Sequence, residues 1–518
     1  MRLRRCPVRR LRSWRRAVHI EIFVEARSLK FVADACAAEI QRGAAETLVE
    51  NVCTDSRQAK PGDLFFAIRG EKFDGHDFIA EVAAKGVAAV VAQASRLCDV
   101  KELTGKIPVP LPGCAILAVD GVRAALGKLA AAYRNDFSLP VICVGGSNGK
   151  TTVKELLASG LRQKFSTLWS EASFNNDIGV PLTLLRLEKS HQAAVLEAGT
   201  NHPGELAPLV RMIRPKLGVL TNIGREHLKF FGDVAGVAQE EGRLAELLPA
   251  DGKLFINGDN EWSEKITART KAQIVRVGFG EKNDWCAKKV RLDKNGATFQ
   301  VVAQASRLCV SEKAGSPNEL TGGTPVPLPE FAGEYRVNLL GRHQVTNALF
   351  AIAVGAELGL SREEIQRGLA GCQPPKMRLQ FWETGGVRVL DDAYNANADS
   401  TIAALETLCD LPLQGRRVAV LGDMEELGAH SEAAHAEVGR RAAELGIGQL
   451  FTVGKMSAFT ANAARDAGLT RVIEFADVES ALRAVKNFLK TGDVVLLKAS
   501  RASRLERIAE SLKSEKSN

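Results

Sequence analysis

The stretch LPVICVGGSNGKTTVKELLASGL, residues 139–161, decides the fold. An apolar run of strand length enters a glycine-bearing turn, Gly146-Ser147-Asn148-Gly149, and the turn opens into a helix-forming segment that begins at Lys150. A turn so placed leaves backbone N–H groups free at a helix N-terminus, where the helix dipole favours anions, so the pattern reads as a phosphate cradle. Lys150 would reach β- and γ-phosphates and Thr151 a magnesium ion. The full P-loop spacing asks for glycine six residues before the lysine, where Val144 stands, so only the second half of the motif, Gly146 to Thr152, is met.

Further apolar strands at AAVLEAG and KLGVLTNI continue a βαβ rhythm, which implies a parallel sheet. Between Phe31 and Asp136, helical patterns alternate with strands such as LFFAI and GVAAVVA, without a nucleotide loop, as in a separate substrate-holding module. After Pro374-Pro375 the strands GVRVLDD, RRVAVLGDM, QLFTVGK and DVVLLKAS alternate with alanine-rich helices, with no G-x-G-x-x-G after the first of them, so no dinucleotide site is indicated. The expected α/β architecture has three domains. A basic extension (1–28) precedes a mixed α/β substrate domain (29–138), a central P-loop parallel-sheet ATPase domain (139–373) and a Rossmann-like C-terminal domain (374–518).

A chain of 518 residues, 45% hydrophobic and 25% charged, is long enough for several cores. Its formal charge of +8 resides in the arginines of MRLRRCPVRRLRSWRR, and the remainder is neutral, so no nucleic-acid partner is expected. That start is either a solvated extension or the product of an upstream start codon, or else a transit-like or polyanion-binding tail, and it lacks the apolar core of a signal peptide. No run is long and apolar enough to span a membrane. The ten cysteines are scattered without a C-x-x-C pair, which fits reduced thiols. A cytoplasmic monomer, not inserted in a membrane, is the expectation. The nonapeptide VVAQASRLC occurs twice, at Val90–Cys98 and Val301–Cys309, too far apart for a structural repeat. It reads as two surface-loop insertions, with a paired docking motif as the alternative.

Beside the short loop G-x-x-G-K-T-T, the chain carries TDSRQAKPGDLFFAIRGEKFDGHDF, SFNNDIGVPLTLL, VLEAGTNHPGEL, TNIGREHLKFFG, GRHQVTNALFA, DDAYNANADS, LGDMEELG and LLKASR. From about Phe31 to the last helix these stretches resemble the Mur ligases. The resemblance implies an amide ligase that uses ATP and Mg²⁺. It would join D-alanyl-D-alanine to the C-terminal carboxylate of UDP-N-acetylmuramoyl-tripeptide through an acyl phosphate, a step of peptidoglycan precursor synthesis. DDAYNANADS and LGDMEELG favour this dipeptide-adding member over folylpolyglutamate synthases and over the ligase that adds the third residue. A nucleotide-binding regulator without catalysis is the rival from another class.

Glu197, ending an apolar strand beside the loop, is placed to hold Mg²⁺, since a buried strand-end carboxylate without a cation is costly. By resemblance His227 is a ligand of a second magnesium. Fourteen residues on, many members carry a lysine whose carbamate completes that site, and here Glu241 stands instead. Glu241, alone or with Glu240, would supply the carboxylate directly; otherwise it is a solvated helix residue. The resemblance sets His343 and Asn347 against adenine, with helix capping as the alternative. It turns Arg378 toward the γ-phosphate, and places Asp392, Asn395, Asn397 and Asp423 near ATP and the incoming dipeptide. Thr54, Asp55, Ser56 and Arg57, followed by Asp74 and His76, look like the family's UDP-sugar module. Ala398 and Ala499 replace a usual proline and glycine, and Lys498, Ser500 and Arg501 are either carboxylate binders or strand-end surface groups.

Overall fold

A computed structural model describes residues 23–97, 113–305, 326–412 and 414–514. The arginine-rich start lies outside them. The chain divides at Leu126 into two units.

The first unit is built on a six-stranded sheet ordered Phe23–Ser28, Leu48–Cys53, Asp63–Phe66, Ala89–Gln93, Ala115–Val119, Glu39–Arg42. Its four middle strands are parallel and its two edge strands antiparallel. The parallel strands are continuous apolar runs because both faces are covered, and Leu64, Phe65, Phe66, Val90 and Val91 are all buried. Two expectations are corrected here. Residues 23–28, assigned above to the extension, form an edge strand, and Ser28 then caps the helix Leu29–Cys36 by accepting from the Phe31 amide. The repeated nonapeptides do not begin as surface loops: VVAQ lies in a strand in both copies, with Val90 and Val301 buried, because β-branched residues suit a pleated core. Residues 98–112 and 306–325 lie outside the described residues.

The second unit carries two sheets. In the first of these, strands Thr167–Trp169, Ala193–Glu197, Val141–Gly145, Leu217–Leu220, Lys253–Asn257, Gln273–Gly278 and Trp285–Asp293 lie side by side in parallel. Antiparallel strands Gly296–Ala305 and Gly333–Val337 extend it. The phosphate-loop strand Val141–Gly145 lies between the strands that end at Glu197 and Leu220, with Val144 opposite Glu197 and Gly145 opposite Leu220. Three strand ends therefore open onto the turn at 146–149, at the carboxyl edge where parallel α/β sheets bind ligands.

The second of these sheets orders Gln380–Thr384, Val387–Asp391, Val494–Lys498, Arg417–Gly422, Gln449–Val453 and Val472–Phe475, parallel except for the first hairpin. Its register brings the ends of Val387–Asp391, Val494–Lys498 and Arg417–Gly422 together. The two sheets of this unit share one apolar cluster, in which Leu220, Ile223 and Leu228 meet Ala398, Leu405 and Met424. Among the described residues no helix is long and apolar enough to cross a membrane.

Candidate active site

The turn after Val141–Gly145 holds two glycines in the left-handed region, Gly146 (φ +107°) and Gly149 (φ +89°). Both are also crowded: a Cβ on Gly146 would lie 2.4 Å from Thr221 Oγ1, and one on Gly149 2.7 Å from Asn347 Oδ1. The loop is thus wedged between the strand-end segment Thr221-Asn222 and the helix His343–Glu357.

The amides of the loop divide into two groups. Gly146 N–H donates to Glu241 Oε2 (2.7 Å), Ser147 N–H to the Asn222 carbonyl (2.8 Å) and Asn148 N–H to Asn222 Oδ1 (2.8 Å). The expectation that the whole run from Gly146 cradles phosphate is corrected accordingly, because three of its amides bind the protein itself. Those of Gly149, Lys150, Thr151 and Thr152, at the start of the helix Lys150–Leu161, have no acceptor among the described residues, as the first turn of a helix dictates.

Lys150 folds back over the loop, its Nζ 2.5 Å from the Gly146 carbonyl and 3.3 Å from Glu226 Oε2. Burial opposes its charge, yet the Glu226, Glu241 and Glu197 carboxylates outweigh that and raise its pKa. Glu197 is buried; its Oε1 accepts from Asn175 Nδ2 (2.9 Å). Glu241, at the end of the helix Val234–Glu241, is fully buried, so it is not a solvated helix residue. Burial pushes its carboxyl up to about 8. Glu240, offered above as its helper, is instead committed to the Leu206 amide (2.9 Å) at the head of another helix.

Four buried oxygens around the loop lack any hydrogen-bond partner among the described residues: Thr151 Oγ1, Glu197 Oε2, Glu226 Oε1 and Glu241 Oε1. Orphaned acceptors of this kind are costly without a cation, and hard oxygen ligands suit magnesium, so the donor set fits that ion. No three His, Cys, Asp or Glu side chains among the described residues yet converge into a closed cage. His227, at the head of the short helix Leu228–Phe231, turns its Nδ1 to Glu426 Oε2 at 2.5 Å.

His343 and Asn347 do not cap their helix, whose N-cap is Arg342 with no side-chain bond. Asn347 packs on Gly149 and donates to Gln344 Oε1 (2.8 Å), while burial lowers the pKa of His343. Arg378 stacks on the Tyr394 ring at 4.3 Å, and Tyr394 Oη donates to Ser173 Oγ at 2.8 Å. Asp392 accepts from the Leu379 amide (3.1 Å) and from Lys498 Nζ (2.6 Å), so Lys498 is a buried partner of Asp392 and not a surface group. Ser500 is likewise buried, accepting from the Glu425 amide at 2.9 Å, whereas Arg501 is largely exposed.

Asn397 caps the helix Ala398–Asp410 and reaches across to Asn148 Oδ1 (3.0 Å), directly onto the phosphate loop. Asn395 bonds the adjacent Ala396 amide (2.9 Å), and Asp423 Oδ1 accepts the Ser457 amide (2.6 Å). Ala398 and Ala499 are fully buried. In the first unit, Asp55 caps the short turn Ser56–Gln58 and pairs with Arg57 (2.6 Å), which lowers the pKa of its carboxyl. Thr54 stands beside it, half-buried. His76 accepts from the Gln93 amide through Nε2 (3.0 Å), so its Nδ1 carries the proton shared with Asp74. Sequence reasoning missed Arg225, Glu226 and Glu426. All three lie inside stretches quoted for other residues, and acids or bases beside a candidate ligand are the signal that could have found them.

A phosphate loop on a parallel sheet, with a second α/β sheet docked over it, is the arrangement of one class of ligase, and the chain matches that class by sequence. Residues 144–355 match the Mur ligase middle domain, residues 377–501 the Mur ligase glutamate ligase domain and residues 48–134 the Mur ligase family catalytic domain, and the chain belongs to the Mur ligase family. Within it, the chain is 35% identical to the UDP-N-acetylmuramoyl-tripeptide--D-alanyl-D-alanine ligase of Escherichia coli and 33% identical to that of Bacillus subtilis, in each case over 90% of this chain and 94% of the relative. The crystal structure of MurF from Acinetobacter baumannii matches with a TM-score of 0.81 at 31% identity, covering 95% of this chain and 99% of that one. MurF ligase from Thermotoga maritima, solved in complex with ADP, matches with 0.73 at 25% identity over 90% and 97% of the two chains.

Proposed function

We propose that this chain is an ATP-dependent amide ligase that joins D-alanyl-D-alanine to the C-terminal carboxylate of UDP-N-acetylmuramoyl-tripeptide, a cytoplasmic step toward the peptidoglycan pentapeptide precursor. The observation that carries this reading is the likeness to ligases of that name over 90% of the chain.

An amide does not form from a carboxylate and an amine near neutral pH without a better leaving group than hydroxide. The tripeptide carboxylate attacks the γ-phosphorus of ATP, ADP leaves, and the dipeptide amine then attacks the acyl phosphate and releases inorganic phosphate. Lys150 swings from the Gly146 carbonyl and Glu226 to the β- and γ-phosphates, and the amides of Gly149 to Thr152 bind their oxygens. Thr151, Glu197, His227 and Glu241 are the residues that would hold magnesium, which when bound neutralises charge on the triphosphate. Arg378 leaves the Tyr394 face for the γ-phosphate, and His343 and Asn347 border the adenine. Asp392, Asn395, Asn397 and Asp423 line the dipeptide side, and Thr54, Asp55, Ser56 and Arg57 hold the UDP-sugar. Docking of the second sheet over the loop keeps water from the acyl phosphate.

The test is phosphate release from ATP with the two substrates added singly and together. Release that needs both and disappears in Lys150→Ala supports the ligase. ATP binding without release under any combination would favour a regulator.

A further inference from the structure

Two non-glycine residues in left-handed backbone face each other across the two sheets of the second unit, His227 (φ +49°) and Glu426 (φ +60°). His227 heads the helix Leu228–Phe231 beyond the strand Leu217–Leu220, and Glu426 follows the strand Arg417–Gly422 of the other sheet. They are joined twice. Glu426 Oε2 lies 2.5 Å from His227 Nδ1, and the Glu426 carbonyl accepts the Lys229 amide at 2.9 Å. The same seam is closed by His430, whose Nε2 donates to the Gly232 carbonyl at 2.7 Å, and by Gly428, where a Cβ would lie 3.1 Å from Lys229 Cα. Backbone strain at two facing residues persists only where the surroundings hold it, and it collects at functional sites.

A carboxylate only accepts, so Nδ1 of His227 carries the proton, and in the neutral ring Nε2 keeps its lone pair. That tautomer is the one a metal ligand needs, and a carboxylate behind the imidazole fixes the orientation of the ring. We propose that Glu426 is the positioning residue for His227. It presents Nε2 to the second cation of the nucleotide site, so that cation binding there depends on the C-terminal sheet being docked. By reciprocity, the cation in turn favours docking. This inference rests on His227 being a metal ligand, as read above.

The experiment titrates the full chain with Mn²⁺ in the presence of a non-hydrolysable ATP analogue, following free Mn²⁺ by electron paramagnetic resonance. Glu426→Gly removes the carboxylate where glycine suits the backbone, and Glu426→Gln keeps an oxygen that accepts from Nδ1–H. The expected result is loss of the weaker Mn²⁺ site in His227→Ala. The same site should weaken about 10- to 100-fold in Glu426→Gly and largely recover in Glu426→Gln, with analogue affinity in the absence of metal unchanged. Wild-type Mn²⁺ binding in Glu426→Gly, beside a lost site in His227→Ala, would overturn the proposal and leave the ligand reading intact. Equal loss of Mn²⁺ and of analogue in both Glu426 variants would mark a merely structural contact and also overturn it. Both Mn²⁺ sites surviving in His227→Ala would remove the ligand reading itself.

Discussion

Glu241 concentrates the residue-scale question. Its Oε2 accepts one amide of the phosphate loop, and its Oε1 is buried without a partner among the described residues. A glutamine in its place still accepts from Gly146 N–H but cannot ionise to meet a cation, so Glu241→Gln separates loop support from cation binding. The expected outcome is an unchanged melting temperature with a Mg²⁺ requirement raised about tenfold or more, measured as phosphate release against free Mg²⁺. An unchanged requirement contradicts the role, and a bicarbonate requirement in the native protein points to another source of the carboxylate. Lys150, Thr151 and Glu197 could be read together because a strand, a glycine turn and a helix set them around one loop, whereas His227 came only with the resemblance. Glu226 and Arg225 were not, since an acid or base on a turn is usually solvated; only the structure shows one against Lys150 and the other against Asp399.

The loop after Arg417–Gly422 is pinned to the helix Ser431–Glu444 by His435, which is fully buried. Its Nε2 accepts the Met424 amide (3.0 Å) and its Nδ1 donates to the Ser431 carbonyl (2.8 Å), an arrangement open only to the neutral ring. Burial holds its pKa below 6.5. A depressed folded value means that the stabilisation is present above the unfolded pKa and is lost as pH falls through the folded one. The melting temperature is therefore expected to fall on acidification below 6.5, and to fall less steeply in His435→Asn. Parallel slopes in the two proteins would contradict this. The helices and strands of both α/β sheets were readable because unbroken apolar runs bounded by turns leave few alternatives. The strand Phe23–Ser28 was not, because six residues beside a basic tail show no period, and its identity comes from pairing with Leu48–Cys53.

Across the second unit, polar contacts ring the shared apolar cluster. Arg225 bonds Asp399 through its amide and Nε, both at 2.8 Å, and its guanidinium pairs with Glu437. These carboxylates raise its pKa, led by the hydrogen bond to Glu437. All three side chains are about one-third exposed, so solvent screening keeps the gain near 1 kcal/mol. Arg225→Ala is expected to shift the nucleotide-free protein a few-fold toward an undocked C-terminal sheet, seen as a larger radius of gyration in small-angle scattering, and to leave the ATP-bound form unchanged. An identical profile in both states contradicts the latch. No pattern within one segment announces such a contact, since Arg225 and Glu437 are far apart in sequence and meet only after both sheets have formed. An acyl phosphate route requires that the tripeptide carboxylate be phosphorylated before the amide forms. Tripeptide labelled with ¹⁸O in that carboxylate, turned over with ATP and D-alanyl-D-alanine, tests this most directly by mass spectrometry of the released phosphate. One ¹⁸O is expected in each phosphate formed from fully labelled carboxylate, together with the pentapeptide product; pentapeptide formed with unlabelled phosphate would exclude the acyl phosphate.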